Sequence, residues 1–226
     1  MAENFDKLFQ NKLDYQGSNV NTLGVTKKDA SKDIVYTAVS TKRVSDNRYD
    51  IDLNIPLINM LNNTSVESFN KKIQSLFVDK ANDIIQNATQ NTIYNIDYMA
   101  YINTNILSLV IRSTLKEGNN PQRVIIQTYN YNLSTNEEMV LEQILEIKGL
   151  STQNVENLIA SQIKVANEEA DKLKRLGYNV YTRDLASSIY KIDNTDNYIL
   201  GPDNKLYVIY PYGNANNTDE MDVIVF

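Results

Sequence analysis

Ionisable residues that could share a reaction stand close together at two places in this 226-residue sequence. Asp50 and Asp52 have the same parity along an alternating stretch, and Glu137 and Glu138 are adjacent just before an apolar run. Hydrolytic or general acid–base chemistry needs two carboxylates, or a carboxylate and a lysine, converging in a cleft. Asp50 and Asp52 lie opposite Tyr49, Ile51 and Leu53, which reads as the solvent face of a strand. Glu137 and Glu138 read as acidic groups that complement a helix start. Cysteine and histidine are both absent. Their absence excludes Ser-His and Cys-His hydrolases, thiolate sites and the usual zinc sites. The chain is therefore expected to be no enzyme, with no metal and no cofactor. Fifteen tyrosines and no tryptophan leave polar aromatic contacts as the available recognition chemistry. Tyr207, Tyr210, Pro211 and Tyr212 form the candidate partner-binding patch, because rigid aromatic groups give contact area at low entropic cost. The same tyrosines could instead pack on a sheet and hold the last strand. Tyr129 and Tyr131 share a parity, so they are exposed or buried together.

The elements that must position these groups can be read from periodicity. Phe5, Leu8, Phe9 and Leu13 suggest a short amphipathic helix, followed by a polar linker from Val20 to Asp33. Residues 1–33 thus stand apart from a main domain over 34–226, with halves at 34–147 and 148–226. Ile34, Tyr36 and Ala38, then Tyr49, Ile51, Leu53 and Ile55, alternate as two antiparallel strands, the second ending or lying at an edge at Pro56. Thr64 and Glu67 suggest a capping box before a long helix carrying Phe69, Ile73, Leu76, Phe77, Ala81, Ile84 and Ile85. A three-stranded meander follows over Tyr94–Ile102, Ile106–Leu115 and Val124–Leu133. A short helix over Met139–Ile147 ends at Gly149, and Ser151 or Thr152 caps a second long helix whose apolar stripe runs from Val155 to Leu176. Tyr178–Leu185, Tyr198–Leu200, Lys205–Tyr210 and Asp222–Phe226 read as four short strands. The fold class is α+β, antiparallel sheet with two long helices packed on one face.

The formal charge is -6, from 22 basic and 28 acidic residues. The basic residues are interleaved with acidic ones, which argues against nucleic acid and favours a basic protein partner. Hydrophobic residues make up 42% of the chain, enough to build a core that folds alone, and a monomer is expected. No run of eighteen apolar residues and no signal sequence appears, so membrane attachment would come through an anchor outside this sequence. Ala38-Val39-Ser40 has the small-residue alternation of a signal-peptidase site but reads as strand.

Several local motifs resemble one family. Ile55-Pro56 closes an alternating strand, Phe69-Asn70 lies in the following helix, and Asn103 to Leu109 leads a turn into Ile-Leu-Ser-Leu. Tyr131 to Asn136 runs Tyr-Asn-Leu-Ser-Thr-Asn into the apolar Leu141–Leu145 stretch, and Pro211-Tyr212 follows the last strand pair. Residues 34–226 are similar in this way to the extracytoplasmic module of RsiV-like anti-sigma factors, also found in PdaC-type peptidoglycan deacetylases. The resemblance implies a sensor ectodomain that binds lysozyme and is controlled by regulated proteolysis. It allows, as an alternative, a peptidoglycan-binding accessory module of an envelope protein. Where the family has a second proline-containing turn, Gly213 to Glu220 is polar, acidic and without proline, which bears on partner identity before fold.

Overall fold

The computed structural model describes residues 25–211 and 221–226. The expected N-terminal helix over residues 3–15, Tyr212 and the Gly213–Glu220 loop lie outside them. The chain is α+β. Strands β1 (Val35–Ser45), β2 (Tyr49–Ile58), β3 (Thr92–Asn103), β4 (Ile106–Lys116), β5 (Arg123–Asn132) and β6 (Glu137–Glu138) form one sheet in that order. β7 (Tyr198–Leu200), β8 (Leu206–Pro211) and β9 (Met221–Val225) form a second, antiparallel sheet. Helix α1 (Thr64–Asn87) joins β2 to β3, while α2 (Leu141–Lys148) and α3 (Thr152–Arg175) separate the sheets in sequence.

Strand alternation arranges these elements in four layers. On β3, Tyr94, Ile96, Tyr98, Ala100 and Ile102 share a buried cluster with Val66, Phe69, Ile73, Phe77, Ala81 and Ile84 of α1. The opposite parity, Met99 and Tyr101 with Val110 and Ile126, packs against Ile199, Tyr207, Ile209 and Val223 of the small sheet. The far face of that sheet, Leu206, Val208, Tyr210 and Ile224, meets Ile144, Val155, Ile159 and Ile163 of α2 and α3. The two long helices therefore cover different sheets, each on one face, as period-2 strands with two apolar faces require.

Most elements lie where periodicity puts them, with informative exceptions. The β2–β3 pairing is parallel, because α1 carries the chain back across the sheet before β3 begins. β2 runs on through Pro56 to Ile58 and is not an edge strand. Pro56 opposes Thr37 beside a bulge in β1, and the β3 ladder has already ended at Leu53–Ile96, so no partner awaits the missing N–H. That bulge, between Thr37 and Val39, breaks the parity read from Ile34, Tyr36 and Ala38. The cap of α1 is Asn63 and not Thr64: its Oδ1 accepts the Val66 N–H at 3.0 Å, leaving Thr64 as the first helical residue. Ser151 caps α3, and Gly149 ends α2 with φ 65°. Glu137 and Glu138 are exposed and form the two-residue strand β6 instead of a helix start.

Tyr178–Leu185 forms no strand. Asn167 of α3 takes the place of a strand partner there, accepting the Arg183 N–H and donating to the Arg183 carbonyl, both at 2.7 Å. Asn70 of α1 does the same to Ile58, at 2.9 and 2.8 Å. Residues 26–33 are tied to the body through Asn59, whose amide bonds the carbonyls of Asp29 and Asp33, and through Leu61 N–H to Thr26 O.

The two sheets are joined by side-chain hydrogen bonds to β7. Thr128 Oγ1 accepts the Tyr198 N–H, Asn130 Nδ2 donates to the Tyr198 carbonyl, and Ser108 Oγ accepts the Leu200 N–H, at 3.0, 2.9 and 3.0 Å. Asn103 Nδ2 donates to the carbonyls of Leu200 and Gly201. The backbone groups that β7 does not share with β8 thus find partners on the large sheet. Gly201 is required for close approach, since a Cβ there would collide with the Tyr207 ring.

Candidate functional site

Tyr207 and Tyr210 are both buried, 5% and 3% exposed, on opposite faces of β8. Tyr207 lies between the sheets and Tyr210 beneath α3, so the two rings do not form one surface with each other. The backbone of Pro211 closes β8 opposite Met221, and Tyr212 lies outside the described residues. Tyr129 and Tyr131 do share a face, and both meet Phe69 edge-on, with centroids 4.5 and 6.0 Å away. Asp50 is exposed, and Asp52 pairs with Lys42 at 3.8 Å across the strand pair. No group of three or more acidic residues among those described could hold a metal ion.

Polar side chains do converge around the start of β9. Arg183 Nε and Nη2 donate to the Asp222 carboxylate at 2.8 Å, a fork-to-carboxylate pair with side-chain exposures of 13% and 1%. Tyr190 donates to the same carboxylate at 3.3 Å and meets Tyr210 edge-on at 5.1 Å. The Tyr210 hydroxyl shares a hydrogen bond of 3.0 Å with Thr195. Burial pushes Tyr210 up to about 12, the Thr195 bond opposes that shift, and the Glu156 carboxylate adds to it.

Above this network the irregular segment and α3 stand apart, leaving a groove of about 400 Å³. Glu156, Asn157, Ala160 and Lys164 of α3 form one wall, Leu185, Ser187 and Lys191 the other, and Ile159, Ile163 and Tyr190 contribute apolar lining. The α3 residues recur at three- and four-residue spacing, so they share one helix face. Asn167 holds the Arg183 backbone beside α3, and residues 178–187 form neither strand nor helix there. Sequence reasoning passed over these residues because it followed only the apolar stripe of α3 from Val155 to Leu176. One signal was readable: Asp222 is a lone carboxylate at the inward parity of Met221–Val225, which demands a buried cation.

No family model matches the sequence, and no curated protein matches it. Solved structures do. A crystal structure of a DUF3298 family protein from Pseudomonas aeruginosa PAO1 superposes with a TM-score of 0.52 at 8% identity, covering 84% of this chain and 88% of that one. The chain has the DUF3298 fold. A DUF3298 family member from Bacteroides fragilis is also similar, with a TM-score of 0.45 at 14% identity, covering 84% of this chain and 90% of that one. Within the DUF3298 fold of this chain, the motif residues have defined places. Phe69 seats Tyr129 and Tyr131, Asn70 holds Ile58, and Ser108 bridges Asn130 and β7, its Oγ donating to Asn130 Oδ1 at 2.6 Å. No helix of the described residues is long and apolar enough to cross a membrane.

Proposed function

We propose that this chain is a non-catalytic binding module that works outside the cytoplasm as a sensor ectodomain of the RsiV-like kind. The observation that carries the reading is the likeness of its fold to a DUF3298 family protein across 84% of the chain. DUF3298 is the domain family present in RsiV-like and PdaC-type proteins. The formal charge of -6 supports a basic protein as partner, for which lysozyme is the candidate. Calorimetric titration with a basic C-type lysozyme, at low and at physiological salt, tests this. Saturable binding that survives physiological salt is expected, and its absence at both salt levels would overturn the sensor reading. Tyr212→Ala is the variant to compare, since Tyr207→Ala and Tyr210→Ala would also open packed interior.

A second reading, a peptidoglycan-binding accessory module, is favoured by one observation. The groove beside α3 combines amide, hydroxyl and charged side chains with an apolar lining, the mixture that small-ligand sites use. Soluble peptidoglycan fragments belong in the same titration series, and binding to them without lysozyme would favour this second reading.

A further inference from the structure

The groove between α3 and residues 185–191 carries a local charge opposite to that of the chain. Lys164 and Lys191 line it with one carboxylate, Glu156, in a protein of net charge -6. Neither lysine makes an ion pair among the described residues. Its volume of about 400 Å³ falls in the range of small-molecule sites. Along α3 it runs from Gln153 to Lys164, a rise of about 16 Å at 1.5 Å per residue.

The walls decide what kind of ligand fits. One is the side of a helix and the other a coil segment with two 3-10 turns, Ser188–Tyr190 and Ile192–Asn194, so neither offers an open strand edge for pairing with an extended peptide. Recognition must run through side chains. Gln153 donates to Asn157 at 3.2 Å, which fixes two planar amides side by side, and Glu156 and Ser187 add an acceptor and a hydroxyl. Such groups bond vicinal hydroxyls, while Ile159, Ile163 and Tyr190 supply an apolar surface for the C–H face of a sugar ring. We propose that this groove binds an acidic sugar of one or two rings, its carboxylate held by Lys164 and Lys191. The inference rests on the glycan-binding reading and adds the charge requirement and the residues. Tyr190 links the site to the interior, because it both lines the groove and donates to Asp222.

The test is an amide-resolved NMR titration of the whole chain with a uronate disaccharide, against the neutral disaccharide of the same linkage. Shifts should be confined to residues 153–164 and 185–191, and the neutral sugar should bind at least about tenfold more weakly. Lys164→Glu and Lys191→Glu change exposed side chains and should each weaken uronate binding about tenfold, with the urea midpoint unchanged. Equal binding of the two sugars, shifts centred elsewhere, or no shifts up to about 10 mM would each overturn the site. Lysozyme binding with no uronate binding overturns this site while leaving the sensor reading intact. Binding of peptidoglycan fragments with no uronate binding overturns the site while leaving the glycan reading intact.

Discussion

The two long helices are each 24 residues, and each roofs one sheet, yet they do so differently. α1 buries six side chains, from Val66 through Ile84, along its whole length. α3 buries only Val155, Ile159, Ile163 and Ala170, and its last turn leaves Leu173 and Leu176 42% and 73% exposed. The first half of the molecule is closed by apolar packing. The second adds polar ties to its apolar packing: Asn167 on Arg183, Arg183 on Asp222, Tyr190 on Asp222 and Thr195 on Tyr210. A helix that covers a three-stranded sheet of short strands does not bury its full length, and along its first half, from Gln153 to Lys164, a groove stays open between it and residues 185–191. Incomplete closure is what makes room for a site.

The sharpest way to break this contrast is to remove Asp222. Asp222→Ala leaves the Arg183 guanidinium without its carboxylate in a nearly buried setting and should cost about 3–5 kcal/mol. Urea unfolding followed by tryptic cleavage would show the loss beginning in residues 178–226. High pH comes next in size, and it loads both halves. Burial raises Tyr101 and Tyr198 from 10.0 to about 12, as it does Tyr210, and pushes Tyr94 and Tyr131 higher. These phenols stay neutral in the folded chain while the unfolded chain ionises. Their contribution is complete below pH 10 and is lost as pH rises through 10 to 12, so tyrosinate absorbance and loss of fold should appear together in that window.

The paired asparagines sharpen the comparison, because each satisfies one residue's N–H and C=O from a helix. Asn70→Ala should cost about 1–3 kcal/mol, since Ile58 is fully buried. Asn167→Ala should cost less, because Arg183 is part-exposed and water can reach its backbone; paired urea midpoints read the difference. The smallest effect belongs to the surface network of Lys80, Glu117 and Arg123, at 3.2 and 3.3 Å with side chains about a third to a half exposed. Glu117→Gln should change stability by less than about 1 kcal/mol, and less again in high salt.

The helices, the meander and the last three strands were legible because their apolar periods are long or their turns well marked. Phe69 to Ile85 reads as a helix without ambiguity, and Asn103-Thr104-Asn105 turns as its composition suggests, with Thr104 at φ 57°. What escaped is what depends on distant residues. Tyr178–Leu185 has strand-forming composition, but Asn167 captures its backbone from another element. The capping box at Thr64 and Glu67 is a valid local pattern overridden by an asparagine one position earlier. The layer order was hidden because Met99 and Tyr101 differ from Tyr98 and Ala100 only in parity, and both sets are apolar. Tyr207 and Tyr210 looked like one aromatic patch because sequence proximity conceals that residues three apart on a strand face opposite ways.

The attachment of β7 has a consequence for how the chain assembles. The backbone groups along its one edge not paired with β8 are met by Asn130, Ser108 and Asn103, which lie 68, 92 and 98 residues away along the chain. Such closures carry a large loop entropy and come late in folding. The large sheet can form from hairpins and one helical crossover between neighbouring strands, whereas β7 takes its second set of backbone partners from that sheet. A chain interrupted between Glu138 and Tyr198 would hold a finished meander whose second face, Met99, Tyr101, Val110 and Ile126, still lacks its cover.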